Sequence, residues 1–502
     1  MKFTKRLTSI ILAMTLSIVT LFAFDSLTVQ ADDASVSICT VNIQGGNVIV
    51  STSGKFSSED NKYHLIASDA HQVAPDGADV AQSGAFSGAT FVVPLNKDTE
   101  NTMLYKKFTV CVMAGGVLTP VSNSMFITNP EAASKVWAKR MDYGKKGILP
   151  ALEKHIADLN QPATLGAKQV NINIPLSKIN SLAGFDYSIA KYNSMGMQVN
   201  VIILADKAAG KTYVSPYASG SHHYYGLNAT SSASLKALAD AASLLAKRYN
   251  GASGFGQVDN FIIGNEVNAW YDWNYMKLPS NDAYIMEYYK AFRVMYNAIK
   301  SENATANVYT CIDHQWSRPE ASYFISGQEF LWKFNSIVAS EGNVDWKVAA
   351  HPYSAPLTDP CAWTTSALVT HDISSPYITM ANIEVLTDFL GTPEMLNPKG
   401  AVRNVKLSEV GYTSSMGEQY QAASLVFAYM VAENNRYIDG LIISRETDHT
   451  SETVKGLAYG LCNAKGQPKM GFAFYQNAAD PSYVAQASAI AGVDLQSLIV
   501  AR

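Results

Sequence analysis

Hydrophobic and polar positions change rhythm once along this chain of 502 residues. From residue 34 to about 128 the apolar residues come in short alternating runs: Ser35–Cys39, Asn47–Val50, His64–Ile66, Thr90–Val93 and Phe108–Val112. Clusters of Gly, Asn, Asp and Ser separate them. A period of two, broken by turn-forming residues, predicts a small antiparallel β-sandwich.

After Asn129-Pro130 the pattern becomes strand alternating with helix. Apolar runs at Lys146–Leu149, Lys168–Ile174, Gln198–Leu204, Phe261–Ile263, Val308–Ile312, Trp346–Ala350, Asn404–Leu407 and Asp439–Ile443 read as eight strands. Helical spacing falls between them, at Pro150–Leu159, Ser232–Tyr249, Asn281–Ile299, Gly327–Ala339, Tyr377–Phe389 and Glu418–Asn434. In Ser232–Tyr249, for instance, Leu235, Leu238, Ala242, Leu245 and Tyr249 share one face. Strands that are apolar on both faces and alternate with helices predict a parallel sheet. Eight repeats within residues 130–502 predict an α/β fold, a (β/α)8 TIM barrel with insertions, preceded by the sandwich of residues 34–128. A doubly wound open sheet is the alternative. No Gly-x-Gly-x-x-Gly follows a first strand and no P-loop is present, which argues against nucleotide binding.

Composition fits a globular protein, at 48% apolar and 16% charged residues. The 27 Tyr and 7 Trp also suit a cleft that stacks flat ligands. At the N-terminus Lys2, Lys5 and Arg6 precede an apolar segment from about Leu7 to Phe24, and Val29-Gln30-Ala31 offers a small-residue cleavage site. Residues 1–31 are therefore expected to be a cleaved signal peptide of an extracellular or cell-surface protein, with an uncleaved anchor as the alternative. Cleavage would leave 35 basic and 41 acidic residues, a formal charge of −6. That balance offers nothing to nucleic acid or to an anionic membrane. No later segment has the roughly 20 apolar residues of a membrane span. Of the five cysteines, Cys39 and Cys111 lie in the sandwich and are candidates for pairing, but the odd count favours mostly free, buried thiols.

In a barrel of this kind functional residues collect at the C-terminal strand ends. Those positions are Asn173, Asp206, Asn265-Glu266, Asp313-His314, His351 with Tyr353, Ser408-Glu409 and Arg445-Glu446. Glu266 and Glu409 follow apolar runs almost directly, on strands four and seven. A carboxylate leaving a buried strand is costly unless it is paired, solvated or used. Two facing carboxylates are what glycosidic cleavage needs: one protonated to serve the leaving oxygen, one ionised to attack. The bland reading of each is a capping or salt-bridged carboxylate.

Three short segments carry a resemblance. Gly264-Asn265-Glu266-Val267-Asn268 resembles the strand-four Asn-Glu motif of the large clan of retaining glycoside hydrolases (clan A type) with (β/α)8 barrels. Lys406-Leu407-Ser408-Glu409-Val410-Gly411-Tyr412 resembles its strand-seven segment, and His351-Pro352-Tyr353 its strand-six end. The chain is most similar to an uncharacterised secreted bacterial branch of that clan. The resemblance implies Glu266 as acid/base, Glu409 as nucleophile, Asn265 on the sugar 2-hydroxyl and Tyr353 beside the nucleophile. It implies a carbohydrate substrate, polysaccharide degradation as the setting, and no cofactor or metal.

The chain also departs from that pattern. Strand two ends in Asn171-Ile172-Asn173-Ile174-Pro175 without the Arg that many members carry. Strand eight ends in Ser444-Arg445-Glu446 instead of a Trp, leaving Arg445, His449 or an inserted aromatic to take its place. Trp270, Tyr271, Trp273 and Trp316 are candidates for sugar stacking, and Asp313 and His314 for contacts to hydroxyls. His222-His223-Tyr224-Tyr225 lies in a long loop without metal-ligand spacing. The expected activity is hydrolysis of O-glycosidic bonds by a monomer. The alternative is a non-catalytic carbohydrate-binding surface protein on a degenerate barrel, and a metal-assisted barrel hydrolase is a third reading. The sandwich reads as a spacer or as a carbohydrate-binding unit.

Overall fold

The computed structural model describes residues 35–140, 144–152 and 159–502. The expected leader at residues 1–31 and most of the expected helix at 150–159 lie outside the described residues.

The N-terminal unit is two antiparallel sheets face to face. Strands β1 (Val36–Gln44), β2 (Asn47–Gly54) and β5 (Thr90–Pro94) form one, in the order β1-β2-β5. Strands β3 (Lys62–Ser68), β4 (Ala78–Gly84), β6 (Lys107–Ala114) and β7 (Val117–Phe126) form the other, in the order β4-β3-β6-β7. Alternate residues such as Val48, Val50, Leu65, Phe91, Phe108 and Val110 fill the space between them. Two of these strands escape the sequence pattern. β4 is a sheet edge with no buried residue, and β7 buries only Phe126. Neither has an apolar face to betray a period of two. Cys39 and Cys111 do not pair: Cys39 is exposed on β1, Cys111 is buried in the other sheet, and all five cysteines are free thiols.

Eight parallel strands then close a barrel in chain order: β8 (Lys146–Ile148), β9 (Gln169–Pro175), β10 (Gln198–Leu204), β11 (Asn260–Ile263), β12 (Asn307–Ile312), β13 (Lys347–Ala350), β14 (Val405–Val410) and β15 (Ile438–Ile443). Helices cover the outside. They include α1 (Ala183–Ser194), α2 (Ser232–Arg248), α3 (Asn281–Glu302), α4 (Gly327–Ser340), α5 (Glu384–Leu390), α6 (Glu418–Glu433), α7 (Met470–Gln476) and α8 (Pro481–Ala491). The helix expected from Tyr377 starts only at Glu384, after a short 3-10 turn at Met380–Asn382. Among the described residues no helix is long and apolar enough to cross a membrane.

The sandwich is bolted to the outside of the barrel through α3. Buried Arg293 donates to the carbonyls of Gly342 (2.6 Å) and Ile127 (2.9 Å), and Asn297 Nδ2 donates to Leu104 O (2.9 Å). An arginine with its donors placed on carbonyls of both units fixes their relation more firmly than apolar contact alone.

The barrel interior is layered. Ile202, Leu204, Ile262, Tyr309, Cys311 and Ala349 form a small apolar cluster apart from the main core. Near the N-terminal strand ends the interior is polar. Asn260 Nδ2 donates to Asn200 Oδ1 (2.6 Å) and Asn200 Nδ2 to Asn171 Oδ1 (2.8 Å). Lys406 Nζ, fully buried, donates to Gln169 Oε1 (2.7 Å) and lies 3.0 Å from Asp439 Oδ1. Burial alone would push Asp439 up, but Lys406, Lys347 and the Tyr309 hydroxyl hold its carboxyl below the usual value. Removing Lys406 leaves the partly exposed Asp439 with only Lys347 and the Tyr309 hydroxyl to hold its charge, and breaking such a pair is destabilising. Lys406→Met should therefore cost about 3 kcal/mol, read as a lower urea midpoint at unchanged m-value.

Candidate active site

Glu266 is placed by an abrupt end to β11. The four residues of that strand are all buried. The chain then turns through Gly264 (φ +82°) and Glu266 itself (φ +40°). Gly264 is needed there, since a Cβ would lie 2.9 Å from Val267 Cγ1. A left-handed conformation is unfavourable for glutamate and persists only where the surroundings over-determine it. The end of β12 supplies that constraint. Cys311 O accepts from Val267 N–H (2.9 Å), and Cys311 Sγ accepts from Glu266 N–H (3.4 Å). Asn268 exchanges hydrogen bonds with Asp313: its Nδ2 donates to Oδ1 (2.6 Å) and its Oδ1 accepts from Asp313 N–H (2.9 Å).

Glu409 is placed by a bulge. The β14–β15 register shifts between Leu407 and Val410, so one extra residue of β14 sits in the ladder where Ser408 and Glu409 lie. A bulge re-aims the side chains beside it.

His351 joins the two. It follows β13 and its side chain is completely buried. Its Nδ1 lies 2.7 Å from Glu266 Oε1 and 3.9 Å from Glu409 Oε2. The two carboxylate oxygens are therefore no further apart than 2.7 plus 3.9 Å. On its other side, His351 Nε2 lies 3.4 Å from Cys311 Sγ. Tyr353 donates its hydroxyl to Glu409 Oε2 (3.1 Å). Burial, with the Glu266 charge added, pushes Glu409 above the usual carboxylate range, against the opposing pull of His351, Tyr353 and Arg445. Burial disfavours charge on His351, but Cys311, Glu409 and Glu266 around it raise its pKa well above the ordinary histidine value.

The pair opens into a cleft of about 440 Å³ lined by Asn265, Asp313, His314, Tyr353, Arg445 and both glutamates. Asp313 is a third buried carboxyl. Burial pushes it up to about 6, with the Glu266 charge adding to burial and His314 opposing it. Gln315 steadies it with donations from its backbone N–H (3.0 Å) and Nε2 (2.5 Å). Arg445 reaches the cleft with its guanidinium already paired to Glu452.

Three of the expected stacking residues are elsewhere: Tyr271 is exposed and packs against His222, Tyr275 and Tyr323 outside the cleft lining, and Trp316 and Trp270 also lie away from it. Trp316 is fully buried in the barrel wall; its Nε1–H donates to Ile373 O (2.9 Å) and its ring meets Phe389 edge-on. Trp270 packs against Tyr275 and Tyr284 beside the main core and is not among the cleft-lining residues. Trp273 and Tyr224 line the cleft instead, with Trp273 stacked on His223 (centroids 4.6 Å apart). His222 stacks on Tyr275, and among the described residues no three His, Cys, Asp or Glu side chains are grouped to hold a metal ion. Where strand eight lacks a Trp, Tyr459 from the long segment after β15 takes a place in the cleft, stacked on Tyr353 (5.5 Å). Tyr459 and Glu452 are among the cleft residues that sequence reading did not name; for Tyr459 the signal was the missing strand-eight Trp, which left room for an inserted aromatic. Asp272 and Glu320, from other loops, also line the cleft.

No curated protein matches the chain. Among solved structures it is similar to a family 39 glycoside hydrolase from Bacteroides cellulosilyticus WH2, at 14% identity over 90% of this chain and 81% of that one, with a TM-score of 0.46. It is similar also to a glucosidase from Croceicoccus marinus (13% identity, 69% of each chain, TM-score 0.43). A third is a GH5_18 protein from Streptomyces cattleya solved in complex with GlcNAc (14% identity, 69% of this chain and 80% of that one, TM-score 0.43). At such identities and scores the likeness adds nothing to what the closed barrel itself establishes. Residues 179–498, well over half of the chain, match the model of a family of unknown function (DUF5722), and the protein belongs to that family.

Proposed function

We propose that the protein is a retaining glycoside hydrolase acting by double displacement. The observation that carries this reading is the placing of Glu266 and Glu409 against one imidazole, with at most 2.7 plus 3.9 Å between their oxygens. Retaining enzymes hold their carboxyls about 5–5.5 Å apart, and inverting ones about 6.5–9.5 Å. The bound takes in all of the first range and only the lower edge of the second.

The roles proposed are those that the strand-four and strand-seven resemblance implies. Glu409 attacks the anomeric carbon. The bond to the leaving oxygen breaks, its electron pair stays on that oxygen, and Glu266 gives the oxygen a proton. The sugar is then an ester of Glu409. Water, giving its proton to Glu266, attacks the same carbon and returns Glu409 as carboxylate. The Tyr353 hydroxyl stabilises the ionised nucleophile. Asn265, Asp313, His314 and Arg445 face the space a sugar would occupy, and Trp273 and Tyr459 supply flat surfaces. We propose further that residues 1–31 direct export and that the enzyme works outside the cell as a monomer.

Glu409→Ala should abolish turnover across a glycan panel, and azide should partly restore it by forming a glycosyl azide. Undiminished hydrolysis by that variant would remove Glu409 from the mechanism. The pH profile offers a second check. Donation from Tyr353 favours the ionised form of Glu409, so Tyr353→Phe raises the Glu409 pKa further. Activity needs that carboxylate ionised, so the acid limb of kcat/KM should move to higher pH. A hydrogen bond to a charged group contributes about 1.5–3 kcal/mol, which corresponds to a shift of about one unit or more. An unmoved limb would separate Tyr353 from the nucleophile. For export, the mature chain should begin at Asp32, read by N-terminal sequencing of protein from the medium.

A further inference from the structure

Cys311 is buried, does not line the cleft, and has no place in the double displacement. Yet it touches the acid/base from two directions. Its Sγ accepts from the Glu266 backbone N–H (3.4 Å) and lies 3.4 Å from His351 Nε2. His351 Nδ1 in turn meets Glu266 Oε1 at 2.7 Å. The result is a closed loop: sulfur to imidazole, imidazole to carboxylate, and carboxylate back through its own main chain to sulfur. Among the described residues each ring nitrogen of His351 has one hydrogen-bond partner, and that of Nε2 is the sulfur. The backbone at Glu266 is strained (φ +40°), and the sulfur is one of the contacts that hold it.

We propose that Cys311 is a positioning residue for the general acid: it fixes the His351 ring and the Glu266 main chain so that one carboxyl oxygen is engaged by His351 and the other is left to serve the leaving group. This rests on the double-displacement reading. The logic is that of outer-shell partners at other sites, where the group behind a histidine sets its tautomer and orientation. It holds whichever way the proton sits between Sγ and Nε2, because removing the sulfur frees Nε2 in either case. The ring then has a second way to hold its proton, and the Glu266 N–H loses its acceptor. The groups facing the imidazole are Cys311 from β12, Glu266 beyond β11, Glu409 on β14, and Tyr353, whose ring lies edge-on to it.

A residue that acts only through the acid should matter only when an acid is needed. The test compares matched phenyl and dinitrophenyl β-glycosides of glucose, galactose, mannose and N-acetylglucosamine. A phenolate leaves poorly without a proton, whereas a dinitrophenolate leaves without help. General acid catalysis contributes about 100-fold or more. Cys311→Ala should accordingly lower kcat/KM about 10–100-fold on phenyl glycosides and change the dinitrophenyl rate by less than about threefold. Cys311→Ser, which keeps an acceptor and donor in place, should recover most of the phenyl activity. Equal losses on both leaving groups, or no loss on either, would overturn the proposal. If Cys311→Ala does not fold, Cys311→Val carries the same comparison, refilling the volume without an acceptor. Glu409→Ala assayed on the dinitrophenyl glycosides separates the two ideas. An active Glu409→Ala sinks double displacement itself, whereas an inactive one beside leaving-group-independent Cys311 variants sinks only the role of Cys311.

Discussion

Two carboxylates cannot share a buried cleft unless something holds their charge, and here that something is His351. At about 6 Å and an effective dielectric near 20, two like charges repel by about 3 kcal/mol, before any cost of burial. His351 is completely shielded from solvent and lies 2.7 Å from Glu266 and 3.9 Å from Glu409, so a positive charge on it faces both carboxylates. The strained turn after β11 and the bulge in β14 bring the two carboxylates to the same imidazole. Take the imidazole away and both become local costs with nothing to offset them. The site is thus one interaction with two conformational strains arranged around it, and the barrel is the frame rigid enough to keep both.

Legibility from sequence followed burial. Barrel strands were most readable where a run is apolar on both faces, as in Val201–Leu204 of β10 and Phe261–Ile263 of β11; β9, with Gln169, Asn171 and Asn173, shows a polar alternation instead. Glu266 and Glu409 were readable because a carboxylate at the end of such a run is costly. β4 and β7 were not readable, because strands that bury almost nothing have no pattern to show. Aromatic residues were the weakest signal. Trp316 follows closely on β12 and Tyr459 lies far along the segment after β15, but only the path of the chain decides that Trp316 turns into the wall and Tyr459 into the cleft. Cys311 was hidden for the opposite reason. In a run of Val308, Tyr309, Thr310 and Ile312 it reads as a small apolar residue, and only the meeting of three strand ends gives its sulfur two polar neighbours.

The polar floor of the barrel clarifies the mouth. β9 carries two inward asparagines two residues apart. Asn171 is paired at both ends of its amide: its Oδ1 accepts from Asn200 and its Nδ2 donates to Ser408 O (2.8 Å). Asn173 is one step nearer the cleft, lines it, and has an Oδ1 with no partner among the described residues. Buried carbonyl oxygens are seldom left so, since each unmade hydrogen bond costs about 1–3 kcal/mol. The same residue type, on the same face of one strand, is therefore paired through both ends of its amide deep in the barrel and has an unpaired oxygen beside the cleft. A sugar hydroxyl is a donor of the right kind for that oxygen. What stands at that end of strand two is a neutral acceptor. On the double-displacement reading proposed above, that position would bear on which sugar is held and not on the reaction at Glu266 and Glu409.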